Sequence, residues 1–474
     1  MSSYQRLSAL DRSFLDLEDH AMHMHVASVC LFDAEPLQNK HGGVDIKRIR
    51  DFIEPRLSWI PRYRQRIEHV PIEGAPVWVD DEQFNLNYHL RHAALPAPGS
   101  LRQLKRMCGR LVSQRLDRGK PLWEMWVIEG IEGGVFALVS KVHHCMIDGV
   151  SGAELMQVLL SPTPALPPTP KVDPWMPASP PGADELIRDA VVEHSQRPAA
   201  LWRALRDAVR DPQAVADKLG DTLPVLRDTL SHWSKTASPT PLNTKIGPHR
   251  RFDWHAHELR RIKAVKNKLG GTVNDVVLNI VAGALRRFFA GRGVSPERLA
   301  ELNYRIYCPV SVRAKGQRGS LGNQVVMIIV DLPIGEADVA ARQAIISAST
   351  SEQKDEKGLL GAKLLVEVGE WTPATLITVA ARIGYGNRAN LVVTNVPGPQ
   401  VPLYLLGARM TETYPLVPLY QNHALGIALF SYAGKIYWGF NADWDVVPDL
   451  HDFVVHVDEA FEELCAAAGV AAAD

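Results

Sequence analysis

Nine prolines fall within the 22 residues 161–182, SPTPALPPTPKVDPWMPASPPG. Each removes a backbone donor and fixes φ, so neither a helix nor a central strand can run through this density; the stretch reads as an extended connector. A chain of 474 residues is also too long for one ordinary core. Together these features predict residues 1–160 as a first lobe, 161–245 as connector and helical crossover, and 246–474 as a second lobe.

Both lobes read as mixed α/β, each a mixed sheet with helices. In the first, Ser8 caps a helix, residues 22–31 suggest a strand, 101–116 a helix and 134–143 a strand. Residues 184–235 are helical in composition but cut by Pro198, Pro212 and Pro224, and their balanced charge favours helices packed on the protein over an interfacial anchor. Beyond them, 323–332 and 390–394 read as buried strands, and 424–431 with 436–441 as a hairpin joined through Ala433-Gly434. Thr272 caps a helix whose apolar stripe runs from Val273 through Val276, Val277, Ile280, Val281, Ala284 and Leu285 to Phe288.

Lys plus Arg number 52 and Asp plus Glu 53, a net charge of −1 that offers no field for a nucleic-acid backbone. Five scattered cysteines without a C-x-x-C pair disfavour a disulfide framework or zinc ribbon and suit a reducing compartment. The first 20 residues meet charges every few positions, and no stretch approaches 18 uncharged apolar residues. The expected location is the cytoplasm, with any lipid surface met peripherally and through apolar side chains.

The most informative segment runs from Val135 to Leu160, VFALVSKVHHCMIDGVSGAELMQVLL. An apolar strand leads into His143 and His144, whose side chains fall on opposite faces if the strand continues. Gly149 turns the chain, and Ser151 to Glu154 form a capping box that opens a helix. His144 thus stands at a strand-to-helix turn, where an imidazole of ordinary pKa near 6.5 suits general base catalysis. Asp148 either orients that imidazole or anchors the turn by pairing with an arginine. A core histidine satisfied by backbone is the bland alternative.

The string HHCMIDG at 143–149 resembles the HHxxxDG motif of the CoA-dependent acyltransferase superfamily. Further segments narrow the resemblance to the bacterial wax ester synthase/diacylglycerol acyltransferase family: LSALDRSFL (7–15), PLWEMWVIEG (121–130), NDVVLN (274–279), CPVSVR (308–313), GN (322–323) and TNVPGP (394–399). The resemblance spans nearly the whole chain and implies two chloramphenicol-acetyltransferase-like lobes. It implies His144 as the base, and Asp148 as a structural residue turned away to pair with an arginine, for which Arg313 is the candidate through a two-pronged hydrogen bond. The implied reaction passes a long-chain acyl group from acyl-CoA directly to a fatty alcohol or to diacylglycerol, with no metal and no cofactor beyond acyl-CoA as substrate.

Asn274, in the first turn of the helix capped by Thr272 and off its apolar stripe, is a candidate oxyanion donor or else a brace between lobes. Pro121, Leu122 and Trp123 shape an acyl tunnel or support the turn. His143 reads as a packing residue. Cys145 beside His144 is no nucleophile if strand neighbours point apart. His20, His23 and His25 lack further ligands at a metal-site spacing. Two other readings stay open: a related acyltransferase that takes its acyl group from a carrier-protein thioester, and a non-catalytic lipid-binding protein of the same fold.

Overall fold

The computed structural model describes residues 4–71, 74–146, 158–166, 168, 170, 174–188, 235–311, 325–354 and 387–471. The capping box at Ser151, Asp148, Gly149, Arg313, the Gly322-Asn323 pair and residues 189–234 of the helical crossover lie outside the described residues.

The first part of the chain runs β1 (Tyr4–Arg6), α1 (Ala9–Leu17), β2 (His25–Asp33), α2 (Ile46–Arg56), β3 (Gln65–His69), β4 (Pro76–Asp80), α3 (Leu86–His89), β5 (Leu90–Ala94), α4 (Leu101–Ser113), β6 (Trp123–Ile131) and β7 (Val135–His143). The second runs β8 (Arg250–Glu258), α5 (Leu259–Leu269), α6 (Val273–Gly291), α7 (Pro296–Ala300), β9 (Arg305–Ser311), β10 (Val325–Asp331), α8 (Val339–Lys354), β11 (Leu391–Pro397), β12 (Tyr404–Leu405), β13 (Ala408–Leu416), β14 (Leu425–Tyr432), β15 (Lys435–Asp443) and α9 (Leu450–Ala467). Two six-stranded sheets result, in the orders β12-β13-β2-β7-β6-β5 and β10-β9-β11-β14-β15-β8, beside a small sheet β1-β4-β3.

Local signals set many of these elements. Ser8 accepts from the Asp11 amide to open α1, and Thr272 with Asp275 closes a reciprocal capping box on α6. The expected stripe of α6 from Val276 to Phe288 is buried against the second sheet's core. Between β14 and β15, Ala433 and Gly434 have φ of 44° and 87°, the left-handed pair that a two-residue hairpin turn requires.

The second part of the chain lends two strands, β12 and β13, to the first sheet. β13 leaves the second lobe and pairs antiparallel with β2, Leu416 opposite Ala27 and Met410 opposite Phe32. Its return to β14 demands close packing on β15, where Gly439 lies so near the Pro415 carbonyl that a Cβ would sit 1.7 Å from the oxygen. Tyr437 and Tyr432 donate to the carbonyls of Thr411 and Met410 at 3.0 and 2.9 Å. On the other side of the junction, α4 packs against β8, with Lys105 paired to Asp253 and the Arg250 amide donating to Ser113 Oγ at 2.8 Å.

The described residues of the connector are tied to the first lobe at intervals. Ser161 exchanges two backbone hydrogen bonds with Tyr404, the Pro168 carbonyl accepts from Arg56, and the Ala178 amide donates to Asp80. No helix among the described residues is long and apolar enough to cross a membrane.

Candidate active site

β7 is the central strand that delivers the site, flanked by β2 and β6 and buried from Phe136 to His143. It ends one residue earlier than the alternation argument assumed. His144 opens a short 3-10 turn, His144–Met146, and its amide still donates to the Met24 carbonyl at 2.7 Å, the next bond of the register that sets His143 opposite His25. Met24, with Leu17, Ala21 and Met22, is packed in the core of the second lobe. The His144 backbone is therefore hung from a segment that belongs to both lobes, and the side chain sits at their seam.

The His144 ring stacks on Phe14 of α1, centroids 3.9 Å apart at 30°. Phe14 packs against both lobes' cores, so the imidazole is fixed at the junction by a residue common to the two. Its Nδ1 is buried and bonds to no other residue among the described ones. Burial pushes its pKa down to about 4, a contact with its own backbone opposing the shift only partly. At neutral pH it is an uncharged imidazole.

His143 points the other way, into a buried polar cluster. In the β2–β7 ladder it stands opposite His25, and the two rings meet edge to face at 5.9 Å. Glu18 lies between them, Oε1 3.5 Å from His25 Nε2 and Oε2 3.9 Å from His143 Nε2. Arg118 grips that carboxylate at 2.5 and 2.9 Å, and Arg115 reaches it at 3.3 Å. Burial alone would raise the Glu18 pKa, but the neighbouring His25 imidazole and the Arg118 guanidinium outweigh it and hold the carboxyl well below its ordinary range. Burial takes His143 down to about 3.

Cys145 is placed by the same turn, though not as strand alternation supposed. Its Sγ approaches His143 Nδ1 at 3.0 Å, and its amide donates to that nitrogen at 3.1 Å. A cysteine–histidine pair therefore exists, but with the wrong histidine for attack. Both groups are buried, the thiol is pushed well above its ordinary range, and the partner imidazole is neutral.

Pro121, Leu122 and Trp123 are buried, and the Leu122 carbonyl accepts from the His143 amide at 2.9 Å. The Trp123 indole stacks on His89 at 4.6 Å and donates to the Tyr63 carbonyl at 2.8 Å. This element braces the strand end that carries the histidines. In the second lobe, Asn274 on α6 meets Cys308 on β9 and Asn395 on β11, the latter donating to Asn274 Oδ1 at a long 3.4 Å. Three sequence segments far apart in the chain thus converge at the helix start. His23 bonds to the His20 carbonyl, and His25 turns to Glu18, so the three N-terminal histidines share no ligand geometry.

The wax ester synthase/diacylglycerol acyltransferase catalytic domain matches residues 7–277, and the C-terminal domain of the same family matches residues 321–465. The chain belongs to this family. It is an O-acyltransferase of the WS/DGAT type. A Mycobacterium tuberculosis protein named as a diacylglycerol O-acyltransferase is 34% identical over 98% of this chain and 90% of its own length. The solved wax ester synthase/diacylglycerol acyltransferase of Marinobacter aquaeolei VT8 is 26% identical, covers 98% of this chain and 100% of its own, and superposes with a TM-score of 0.68. The starter condensation domain of rhizomide synthetase shares the fold at 13% identity, with a TM-score of 0.59 over 99% of this chain and 95% of its own.

Phe14, Glu18, Met24 and Arg118 are the residues of this WS/DGAT enzyme that sequence reasoning missed. A hint lay in LDLEDH, where a carboxylate follows directly on an amphipathic helix. Its charge is met by Arg118, which arrives from beyond α4.

The buried histidines make a stability prediction. Burial lowers His23, His89 and His423 to about 4 and His143 to about 3, against 6.5 ordinarily. The folded state holds them neutral, so below pH 6.5 the unfolded state binds more protons. Stability is full above that pH and falls as pH drops toward 4, by up to about 1.4 kcal/mol per pH unit for each histidine. Thermal unfolding of this WS/DGAT enzyme should be level from pH 8 to 7 and should move steeply to lower temperature below 6.5. A level profile down to pH 5 would contradict these assignments.

Proposed function

We propose that the enzyme transfers a long-chain acyl group from acyl-CoA to the hydroxyl of a fatty alcohol or of diacylglycerol, with His144 as general base. The observation that carries the reading is the position of His144 at the seam of the lobes, held on Phe14 and neutral at physiological pH. The names borne by the Mycobacterium and Marinobacter relatives supply the substrate classes.

In this reading, the acceptor hydroxyl gives its proton to His144 as its oxygen attacks the thioester carbonyl. Charge appears on the carbonyl oxygen and on the imidazolium together, and a water-poor seam makes their attraction strong. Asn274 or a backbone amide would donate to that oxyanion. Collapse breaks the C–S bond, and CoA thiolate leaves with the proton returned by His144. No acyl-enzyme forms, in keeping with a buried, protonated Cys145. The lipids would be met peripherally, at the inner membrane or a lipid inclusion.

The test is an acceptor panel of alcohols of graded length, monoacylglycerol and diacylglycerol with one radiolabelled acyl-CoA. Labelled ester should form with long-chain acceptors. Transfer only from a carrier-protein thioester, or to none of these acceptors, would contradict the assignment.

A further inference from the structure

Away from the seam, on the outer side of the second lobe, His255, His257 and Asp458 form a cluster that acyl transfer does not use. The ligand atoms of all three lie within 4.8 Å of one another, a grouping found nowhere else among the described residues. His255 and His257 are two apart on β8, so both imidazoles project from one face of the strand, their rings 4.6 Å apart. Asp458 faces them from α9, with Oδ1 3.1 Å from His255 Nε2 and 3.2 Å from His257 Nε2.

We propose that these three side chains bind a divalent transition-metal ion of the zinc class that staples β8 to α9. Two imidazoles and a carboxylate are the donor set such ions prefer. With metal–ligand bonds of 2.0–2.1 Å, the edges of a tetrahedron are about 3.3 Å long, close to the two nitrogen–oxygen separations already present. The second ring is held in place before any ion arrives, since His257 is buried against Phe461 at 4.3 Å and Trp438 at 5.7 Å. Asp458 is half exposed and His255 one-third exposed, which leaves a side open for a water as fourth ligand. Glu462, one turn further along α9, is engaged in two hydrogen bonds with Arg261 and stays out of the set.

The location gives the ion a purpose. β8 is the last strand of its sheet, paired in that sheet to β15 alone, and its far side carries the α4 contacts that join the lobes. An ion fixing β8 to α9 would stiffen the strand on which the lobe junction rests. The role is structural, independent of the catalytic reading.

The full chain, stripped with a chelator and dialysed, would be titrated with cobalt(II), read by visible absorption, and with zinc, read by calorimetry and thermal unfolding. One ion per chain is expected, with the visible bands of low-coordinate cobalt, displacement by zinc, and an unfolding temperature that climbs with free zinc. His255→Ala and Asp458→Ala, both at partly exposed positions, should each weaken binding by about 10-fold or more while the chain stays folded. Absence of saturable binding to the parent chain, or binding unchanged in both variants, would overturn the proposal.

Discussion

Replacing His144 with alanine should lower acyl transfer by about 10³-fold or more while leaving the fold intact. General base catalysis accounts for about 10² to 10⁴ in rate, and no other imidazole among the described residues stands in this position to substitute. The structural loss is small. His144 is half-buried, its Nδ1 bonds to no other described residue, and its principal packing contact is the face of Phe14. An aromatic pair of this kind contributes about 1 kcal/mol. The checks are turnover of radiolabelled acyl-CoA with hexadecanol, and thermal unfolding alongside it. A variant that keeps a tenth of the parent's turnover removes His144 from the role of base.

Glu18→Ala should do the reverse, with stability as the primary loss. Glu18 is buried and is the carboxylate shared by Arg118, Arg115 and the two histidines opposite each other in the β2–β7 ladder. Removing one partner of a buried pair costs about 3–5 kcal/mol. The low end applies here, about 3 kcal/mol, because Arg115 and Arg118 are nearly half exposed and can turn to water. The first unfolding transition should fall by several degrees, with activity reduced as the turn bearing His144 loosens. Glu18→Gln keeps an acceptor for Arg118 and should recover part of the loss. A Glu18→Ala variant as stable as the parent would mean that the cluster does not hold the strand end.

The elements read correctly from sequence are those whose instructions are local. Thr272 and Asp275 are three residues apart and close their own box, and Ala433-Gly434 supplies its turn without help from elsewhere. The motif around His144 is legible as a family mark for the same reason. Its geometry is not. The strand gives way to a 3-10 turn at His144 even though its amide keeps the Met24 carbonyl of the β2–β7 register, a partner from far earlier in the chain. Glu18 is a further case: in LDLEDH a carboxylate reads as solvated, and only the pairing of β2 with β7 sets His25 against His143 around it. The donated strand β13 carries no mark that distinguishes it from a strand of its own lobe. Its partner is β2, near the opposite end of the chain.

The central claim is that acyl-CoA hands its acyl group directly to a hydroxyl deprotonated by His144. A rapid-quench experiment tests it most directly, following CoA release in the first turnover with and without hexadecanol, in the parent enzyme and in His144→Ala. The account predicts CoA release only when acceptor is present, at a rate matching ester formation, and almost none from the variant. A burst of CoA without acceptor, with the acyl group retained on Cys145, or an undiminished first turnover in His144→Ala, would contradict it.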